Sequence, residues 1–243
     1  MRLRIRNIRK NFKTKNGSVC ALENINLDIK PGEFICLVGP SGCGKSTLLN
    51  IMAGLDKQDS GRIKVDGKIG LMFQEPALFP WLKVKDNVGF GLKIKKLDKE
   101  KQEKFIDAHL KMVHLQNFAE SYPHELSGGM KQRVALARTL ILNPDILLMD
   151  EPFAALDAQT REILYKELQN IWQLTKKTVV FVTHNVREAV CLGDRVVVFS
   201  ARPGKIKKIF DIDLKRPRDL GNLELIKMSN KIMDVLKSEI KEL

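Results

Sequence analysis

Short runs of consecutive apolar residues recur along the chain. They cover residues 34–38, 146–149, 179–182 and 196–199. A wholly apolar run of this length is typical of a strand that is buried on both faces, as in a parallel sheet. Apolar residues at helical spacing occupy 158–175 and 186–192, between the last three runs. This alternation of strands and helices predicts an α/β core in layers, built on a mostly parallel sheet.

The remaining segments follow other patterns. In the first 30 residues apolar and polar positions alternate, and Asn16 with Gly17 supplies a turn, which predicts an antiparallel hairpin. Two helices are expected over 98–142, the second opening at Ser127 and ending before Pro144. Short strands are expected over 61–67, 68–73 and 206–214, and an amphipathic helix over 223–240.

The bulk composition is that of an ordinary soluble domain. The chain has 243 residues, of which 44% are apolar and 29% charged. No apolar run approaches the ~20 residues that span a bilayer, and the first residues lack the apolar core of a signal peptide. We therefore expect a protein of the cytosol. The four cysteines show no C-x-x-C spacing, which indicates neither a zinc site nor a disulfide framework.

The net charge of +13 fits a nucleic acid, an acidic membrane surface or simply a lysine-rich composition. Arg2, Arg4 and Arg6 alternate with apolar residues, which predicts a strand with one basic, solvated face. The lysines of 93–104 are mixed with acidic residues, as in an exposed charged segment. Aromatic residues that would stack on bases do not interleave with these lysines, so charge alone gives little support to nucleic-acid binding.

The most informative stretch is glycine-rich and lies between the apolar run 34–38 and a helical pattern that begins at Leu48. It fits the phosphate-loop pattern G-x-x-x-x-G-K-[ST], in which backbone N–H groups at a helix N-terminus form a nest for phosphate oxygens. Lys45 can reach the terminal phosphates, and the Ser46 hydroxyl can ligate Mg²⁺. Binding of a nucleoside triphosphate is therefore predicted for Gly39, Pro40, Ser41, Gly42, Cys43, Gly44, Lys45, Ser46 and Thr47.

Two carboxylates, Asp150 and Glu151, follow the apolar run 146–149. Asp150 is expected to hold Mg²⁺, directly or through water. Glu151 is expected to point to the other side of the strand, toward an attacking water, because a carboxylate bound to Mg²⁺ is a poor base. A solvated strand end is the alternative interpretation, which the presence of the phosphate loop disfavours.

A third element, Leu126-Ser127-Gly128-Gly129-Met130, is a tight turn that opens a helix. By itself it is an ordinary helix N-cap or an anion site. In this order with the two earlier motifs, it makes the chain resemble the nucleotide-binding subunit of ATP-binding cassette (ABC) transporters, from about residue 3 to 220. We call residues 126–130 the signature turn, because L-S-G-G is the family's most specific mark. Met130 departs from the family, in which many members carry glutamine.

The resemblance implies a phosphate-loop NTPase core of the RecA-like type. Such a core has a mostly parallel sheet, an antiparallel β subdomain and an inserted α-helical subdomain. We expect a single ABC ATPase domain over 1–243. The catalytic core with its antiparallel part would cover 1–84 and 143–215, the helical subdomain about 85–142, and a C-terminal helical extension 216–243.

The resemblance also assigns roles to individual residues. Gln74 matches the glutamine that senses Mg²⁺ and water and couples to the membrane partner, and His184 matches the histidine that contacts the γ-phosphate. Asp157 matches the aspartate that crosses between two subunits, and Phe12 lies where an aromatic residue stacks on adenine. Contacts to the nucleotide held by a second subunit are implied for Ser127, Gly128 and Gly129.

The implied function is an ATPase, requiring ATP and Mg²⁺, coupled to transport across a membrane. Two subunits, identical or related, would close on ATP and open after hydrolysis. The sequence F-Q-x-P-x-L-x-P-W at 73–81, with 150–157 and 200–204, is similar to importers of nitrate, sulfonates and taurine. The expected partners are a transmembrane permease and, indirectly, an extracytoplasmic solute-binding protein. The expected location is the cytoplasmic face of the membrane, peripheral and without a transmembrane segment in this chain.

A DNA-associated ABC-type ATPase of the repair or chromosome class is the alternative function, and the basic charge would suit it. Such proteins insert long coiled coils between the phosphate loop and the signature turn. Here fewer than a hundred residues separate the two, without sustained heptads. A stand-alone kinase and a translation factor with two cassettes fit the motifs less well. The importer is therefore favoured, and no nucleic acid is expected as a partner.

Overall fold

Nine strands, seven α-helices and two 3₁₀-helices form the part of the chain that the computed structural model describes, residues 2–14 and 17–240. The strands are β1 (Leu3–Thr14), β2 (Gly17–Ile29), β3 (Phe34–Val38), β4 (Ser60–Val65), β5 (Ile69–Met72), β6 (Ile146–Asp150), β7 (Thr178–Val182), β8 (Arg195–Phe199) and β9 (Ile206–Asp211). The α-helices are α1 (Lys45–Ala53), α2 (Val84–Ile94), α3 (Lys99–Met112), α4 (Gly128–Leu140), α5 (Ala158–Thr175), α6 (Val186–Leu192) and α7 (Leu223–Ile240). The 3₁₀-helices cover Gln116–Phe118 and Pro123–Glu125.

Alternating apolar and polar positions at the start of the chain produce an antiparallel sheet in the order β2-β1-β4. Leu3 and Ile5 on one face of β1 are buried, and Arg4 on the other face is exposed. The predicted antiparallel pairing of β1 and β2 is confirmed as far as Gly17. The other residue of the predicted turn, Asn16, lies outside the described residues.

The wholly apolar runs form a second sheet in the order β5-β6-β7-β3-β8-β9. The strands from β5 to β8 are parallel, and β9 is antiparallel to β8. Every residue of β3 and β7 is buried, as expected for central strands that are covered on both faces. The predicted α/β fold with a mostly parallel sheet is therefore confirmed. The carboxyl ends of β3, β6 and β7 meet at one edge of the sheet, where α/β proteins bind their ligands.

Successive residues of β3 point into two different cores, because side chains alternate along a strand. Phe34 and Cys36 pack on one face of the six-stranded sheet, against residues of α4, α5, α6 and α7. Ile35 and Leu37 pack on the other face, against α1 and the antiparallel sheet. Packing on both sides fixes the position of the loop that follows β3.

Most predicted helices are confirmed, and the differences have local causes. The predicted helices over 158–175, 186–192 and 223–240 coincide with α5, α6 and α7. The segment 98–142 forms α3 and α4, with both 3₁₀-helices between them. The helix α2 was not predicted, because its last residues run into the charged segment 93–104. The strand expected over 206–214 ends at 211, because Arg218 binds the carbonyl groups of Ile212 and Leu214.

The helices α2, α3 and α4 pack against one another. They lie where the helical subdomain is expected, although its limits at about 85 and 142 stay a prediction. Among the helices of the described ranges, none has the length and apolar character needed to cross a membrane.

Candidate nucleotide-binding site

The phosphate loop, residues 39–47, connects the central strand β3 to α1. Gly44 forms the N-cap of α1 with a φ of 98°, a left-handed conformation that favours glycine. A Cβ atom at this position would lie 2.7 Å from the carbonyl oxygen of Ala21. The loop therefore closes tightly over the N-terminus of α1, where unpaired backbone N–H groups are suited to bind an anion.

Lys45 lies within this loop and is only 5% exposed. Its Nζ donates to the carbonyl oxygen of Gly39 at 2.8 Å and to that of Pro40 at 2.9 Å. The loop thus holds an ammonium group, and free backbone N–H groups lie at the N-terminus of the helix that follows. Both kinds of group attract phosphate oxygens.

A cleft of about 390 Å³ is bounded by the phosphate loop and by β1 and β2. We call it the nucleotide cleft. The Phe12 ring on its wall is 41% exposed, and Lys10 Nζ lies 5.0 Å from the ring centroid. An exposed aromatic ring beside a phosphate-binding loop is suited to stack on a nucleobase. The lining residues include Phe12, Ser41, Lys45, Ser46, Glu151 and Arg202.

Ser46 and Asp150 bring two oxygen ligands together at the edge of the cleft. The Ser46 hydroxyl donates to Asp150, with 3.0 Å between Oγ and Oδ1. Burial raises the pKa of the Asp150 carboxyl group, and the hydrogen bond from Ser46 opposes this rise. A cation would offset the cost of burying this charge, and Mg²⁺ prefers such oxygen ligands. In the described part of the chain no three His, Cys, Asp or Glu residues are grouped so that they could hold a metal ion by themselves.

Glu151 follows Asp150 directly but reaches a different partner. Its φ of 43° turns the chain out of β6, and its N–H donates to the Val182 carbonyl of β7 at 3.0 Å. Its Oε2 lies 2.9 Å from Nδ1 of His184. A left-handed conformation costs a non-glycine residue about 1 kcal/mol. The fold therefore maintains some strain in order to aim this carboxylate away from Asp150.

A buried carboxylate, Glu188, lies behind the segment that carries His184. Glu188 is 5% exposed and accepts a hydrogen bond from the Thr183 hydroxyl. The oxygen of that hydroxyl accepts the N–H of Asn185 at 3.0 Å. Burial raises the pKa of Glu188 to about 7. Sequence reasoning missed this residue, although the apolar run 189–192 right after it signals a buried helix.

Gln74 and Asp157 lie outside the lining of the nucleotide cleft. Gln74 follows β5, the neighbour of β6, and its side chain is exposed. Its backbone carbonyl accepts Nε2 of Gln132 from α4 at 2.9 Å. Asp157 is the N-cap of α5, and hydrogen bonds from Thr160 lower the pKa of its carboxyl group.

The signature turn lies at the start of α4, apart from the nucleotide cleft. Ser127 is the N-cap of α4, and its Oγ accepts the N–H of Met130 at 3.3 Å. Ser127 and Gly128 are exposed, while Gly129 is buried. None of these residues lines the nucleotide cleft. The structure therefore brings the phosphate loop together with both strand-end carboxylates but leaves the signature turn on another surface.

Cys43 is a packing residue despite its position in the phosphate loop. It is 1% exposed, and burial raises the pKa of its thiol against the opposing effect of the Lys45 ammonium. A buried thiol with a raised pKa is a poor nucleophile. Cys36 and Cys191 are buried as well, and Cys20 is partly exposed.

Known proteins are similar to this chain in sequence and in fold. A family model described as ABC transporter matches residues 22–154. The aliphatic sulfonates import ATP-binding protein SsuB of Bacillus cereus is 45% identical over 242 residues, which cover 96% of this chain and 95% of SsuB. The nitrate import ATP-binding protein NrtD of Synechocystis is 49% identical over 222 residues, which cover 88% of this chain and 84% of NrtD. A solved dimeric structure of the ATP-binding cassette MJ0796, in a post-hydrolysis state bound to ADP and Pi, matches with a TM-score of 0.77 at 36% identity, covering 88% of this chain and 100% of that one.

Proposed function

Because this chain belongs to the ATP-binding proteins of ABC transporters, we propose that it powers the import of a small oxyanion or sulfonate, such as nitrate or taurine, through a membrane permease. The chain is an ATPase subunit. One observation carries the proposal: the chain has a nucleotide cleft and, on a separate exposed surface, the signature turn. The import proteins SsuB and NrtD support the choice of solute class. The DNA-associated alternative has no support among these relatives.

The nucleotide cleft is the proposed binding site for ATP. The phosphate loop and Lys45 bind the phosphates, and Phe12 stacks on the adenine. Ser46, Asp150 and Gln74 are the residues that would hold Mg²⁺. When bound, the ion neutralises charge on the phosphate oxygens.

Glu151 is the proposed general base. It takes a proton from a water molecule whose oxygen attacks the γ-phosphorus, the bond between the γ-phosphorus and the bridging oxygen breaks, and ADP leaves. The carboxylate is free for this role because Asp150 has the bond to Ser46, whereas Glu151 faces His184. His184 orients Glu151 and contacts the γ-phosphate.

The signature turn is proposed to complete the site of a second subunit, identical or related. Ser127, Gly128 and Gly129 would contact the γ-phosphate held by the partner, and Asp157 would cross the seam. Because ATP then bridges two chains, its binding closes the dimer, and hydrolysis followed by phosphate release opens it. The MJ0796 cassette is dimeric with ADP and Pi bound, which supports the pairing of two such subunits.

An exposed aromatic segment after Gln74 is the proposed docking surface for the permease. Trp81 is 71% exposed, and its ring centroid lies 5.6 Å from that of Phe79. Arg138 of α4 donates to the carbonyl groups of Pro76 at 2.7 Å and Ala77 at 2.8 Å. An exposed aromatic anchor on a fixed segment suits a docked helix. Since the segment is bonded to α4, movement of the signature turn would reach the permease. The subunit would lie at the cytoplasmic face of the membrane, with the solute-binding protein on the other side.

The proposal is tested with Glu151→Gln, which keeps the shape of the side chain but removes its basicity. We expect the rate of phosphate release to fall by at least about 100-fold, while ADP binds with unchanged affinity. With Mg-ATP the variant should accumulate as a dimer, measured by light scattering after size-exclusion chromatography. Glu103→Gln, an exposed carboxylate of α3, is the matched control and should behave as the unaltered chain.

Two results would contradict the proposal. Hydrolysis at the normal rate by Glu151→Gln would remove Glu151 from the catalytic role. A chain that stays monomeric with Mg-ATP, with turnover blocked and its permease supplied, would refute the shared site. The solute class is tested by uptake of taurine and nitrate into vesicles that carry the assembled transporter.

A further inference from the structure

The loop between β8 and β9, residues 200–205, packs directly onto the phosphate loop. The Nε and one terminal nitrogen of Arg202 both donate to the carbonyl oxygen of Gly42, at 3.2 and 3.0 Å. Gly42 lies in the middle of the phosphate loop. Arg202 also lines the nucleotide cleft, as Lys45 does. A cation from a distant part of the sequence therefore lies at the proposed phosphate site.

The loop is held in this place by contacts at Gly204. Its N–H donates to the Ala21 carbonyl at 3.0 Å, and its own carbonyl accepts the N–H of Glu23 at 3.0 Å. A Cβ atom at Gly204 would lie 2.0 Å from the Cys43 carbonyl oxygen. Only glycine permits so close an approach of the two loops. The backbone two residues after Arg202 is therefore fixed, because β2 and the phosphate loop both constrain Gly204.

The Arg202 guanidinium has capacity for a further ligand. It carries five N–H groups, and the Gly42 carbonyl takes two of them. By contrast, Arg195 is paired with the carboxylate of Glu33, and Arg216 with that of Asp194. Within residues 2–14 and 17–240, no carboxylate forms an ion pair with Arg202. An exposed arginine of this kind is suited to bind phosphate through its planar set of donors.

We propose that Arg202 is a nucleotide-binding residue, which holds the Gly42 carbonyl and binds a phosphate of the nucleotide through its remaining N–H groups. The inference depends on the proposed function in one respect, that nucleotide occupies the nucleotide cleft. Lys45 is buried inside the phosphate loop, whereas Arg202 is exposed at its outer side. The two cations therefore act from different sides, and only the charge of Arg202 is readily screened by salt.

The test is the dissociation constant of ADP, measured by isothermal titration calorimetry. ADP is used because it avoids both hydrolysis and dimer closure. We expect Arg202→Ala to weaken binding about tenfold, the effect of losing one charge-assisted hydrogen bond at an exposed site. The loss should be smaller at about 500 mM salt than at about 50 mM. Arg202→Lys should recover part of the affinity, since it keeps the charge but not the planar donors.

Two controls separate this inference from the proposed function. Lys205→Ala removes an exposed cation of the same loop that pairs with Glu23 at 2.8 Å, and we expect unchanged binding. Lys45→Ala should abolish binding, which locates ADP in the cleft. Unchanged affinity in Arg202→Ala alone would overturn the inference and leave the proposed site standing. Unchanged affinity in both Lys45→Ala and Arg202→Ala would refute the site and the inference together. A loss that does not depend on salt would overturn the phosphate contact, because it would show that Arg202 only positions the loop.

Discussion

Two glycine-rich turns in this molecule each lead into a helix. The side chains of one are bonded within the chain, whereas the other turn faces outward. The phosphate loop leads from the buried strand β3 into α1, and its side chains are bonded inward: Lys45 to the loop itself and Ser46 to Asp150. The signature turn leads into α4 and faces outward. Its Ser127 hydroxyl accepts the N–H of Met130, the one partner that it has in the described part of the chain.

The contrast explains why one chain is half of a catalytic unit in the proposed mechanism. The core of the chain orients the ligands of the phosphate loop. On one side the signature turn is packed, since Gly129 is buried against Thr160. On the other side Ser127 is exposed. A surface that completes a site on another molecule needs both: packing that holds its residues in position and an exposed side that the other molecule can contact.

The largest expected effect is the loss of ATP hydrolysis when either turn is altered. Mixing the two altered chains should restore part of the activity. Lys45→Ala removes a phosphate ligand, and Ser127→Arg blocks the exposed side of the signature turn. Each variant alone should hydrolyse ATP at least about 100-fold more slowly. A mixed head-to-tail dimer keeps one site made of two unaltered turns. Phosphate release by the mixture should therefore recover in part.

Binding data sharpen this experiment. Ser127→Arg should bind ADP normally, because the signature turn does not line the nucleotide cleft. Asn117→Arg adds the same charge at another exposed position and should leave turnover unchanged. A mixture as inactive as its two components would contradict the composite site.

The second effect is a dependence of stability on pH that comes from Glu188, behind the segment that carries His184. Its pKa is about 7 in the folded chain and 4.5 by its ordinary value. Between these values the folded chain keeps a proton that the unfolded chain has lost, so the free energy of unfolding falls as pH rises through the window. The fall is at most about 3 kcal/mol and is complete above the folded pKa. Glu188→Gln cannot ionise and should show a smaller slope than the unaltered chain; Asp150 and Glu167, whose pKa values burial also raises, contribute to the slope that remains.

Urea unfolding at about pH 5.5 and about pH 8 measures the slope. Glu162→Gln, an exposed carboxylate of α5, is the control and should keep it. Carboxylates with lowered pKa values, such as Asp157, act below this window and do not obscure it. Equal slopes in the unaltered chain and Glu188→Gln would show that Glu188 ionises normally and is not desolvated by the fold.

The sequence was sufficient for the parts of this site in which neighbours along the chain are neighbours in space. The phosphate loop lies within one strand, turn and helix, so its spacing specifies its geometry. The pair Asp150 and Glu151 ends a wholly apolar run, which marks the edge of the sheet. The bounds of α5 and α6 follow from apolar periodicity together with the caps Asp157 and Asn185.

The parts that sequence reasoning missed depend on distant contacts. Arg202 and Gly42 are 160 residues apart, and the sequence of neither segment indicates that the two are in contact. Glu188 is five residues from Thr183, but its burial is decided by the elements that pack over α6. The conformation of Glu151, with φ of 43°, follows from its bond to β7. A linear pattern does not contain these effects of tertiary packing.

A smaller expected effect is the loss of stability when the Ser127 cap is removed, which tests whether this hydroxyl serves mainly to cap its own helix. Ser127 makes one long capping bond, at 3.3 Å, so Ser127→Ala should lower the free energy of unfolding by only about 0.5 kcal/mol. Asn185 caps α6 with bonds to two N–H groups, so Asn185→Ala should cost about 1 kcal/mol or more. Denaturant unfolding compares the two. An equal or larger cost at Ser127 would mean that its hydroxyl serves its own helix, which would weaken the contrast between the turns.

The smallest expected effect is the response of Cys43 to alkylation. Its thiol is 1% exposed and its pKa is raised by burial, so N-ethylmaleimide should leave Cys43 unmodified in the folded chain. Cys20, which is partly exposed, is removed as Cys20→Ser so that its reaction does not interfere. Mass spectrometry of the folded and the urea-unfolded variant locates the label, and the unfolded chain shows that Cys43 can react. Rapid labelling of folded Cys43 that ADP suppresses would show that the phosphate loop opens in solution. The loop would then be less firmly anchored than its bonds to Lys45 indicate, and the difference between the two turns would be one of degree.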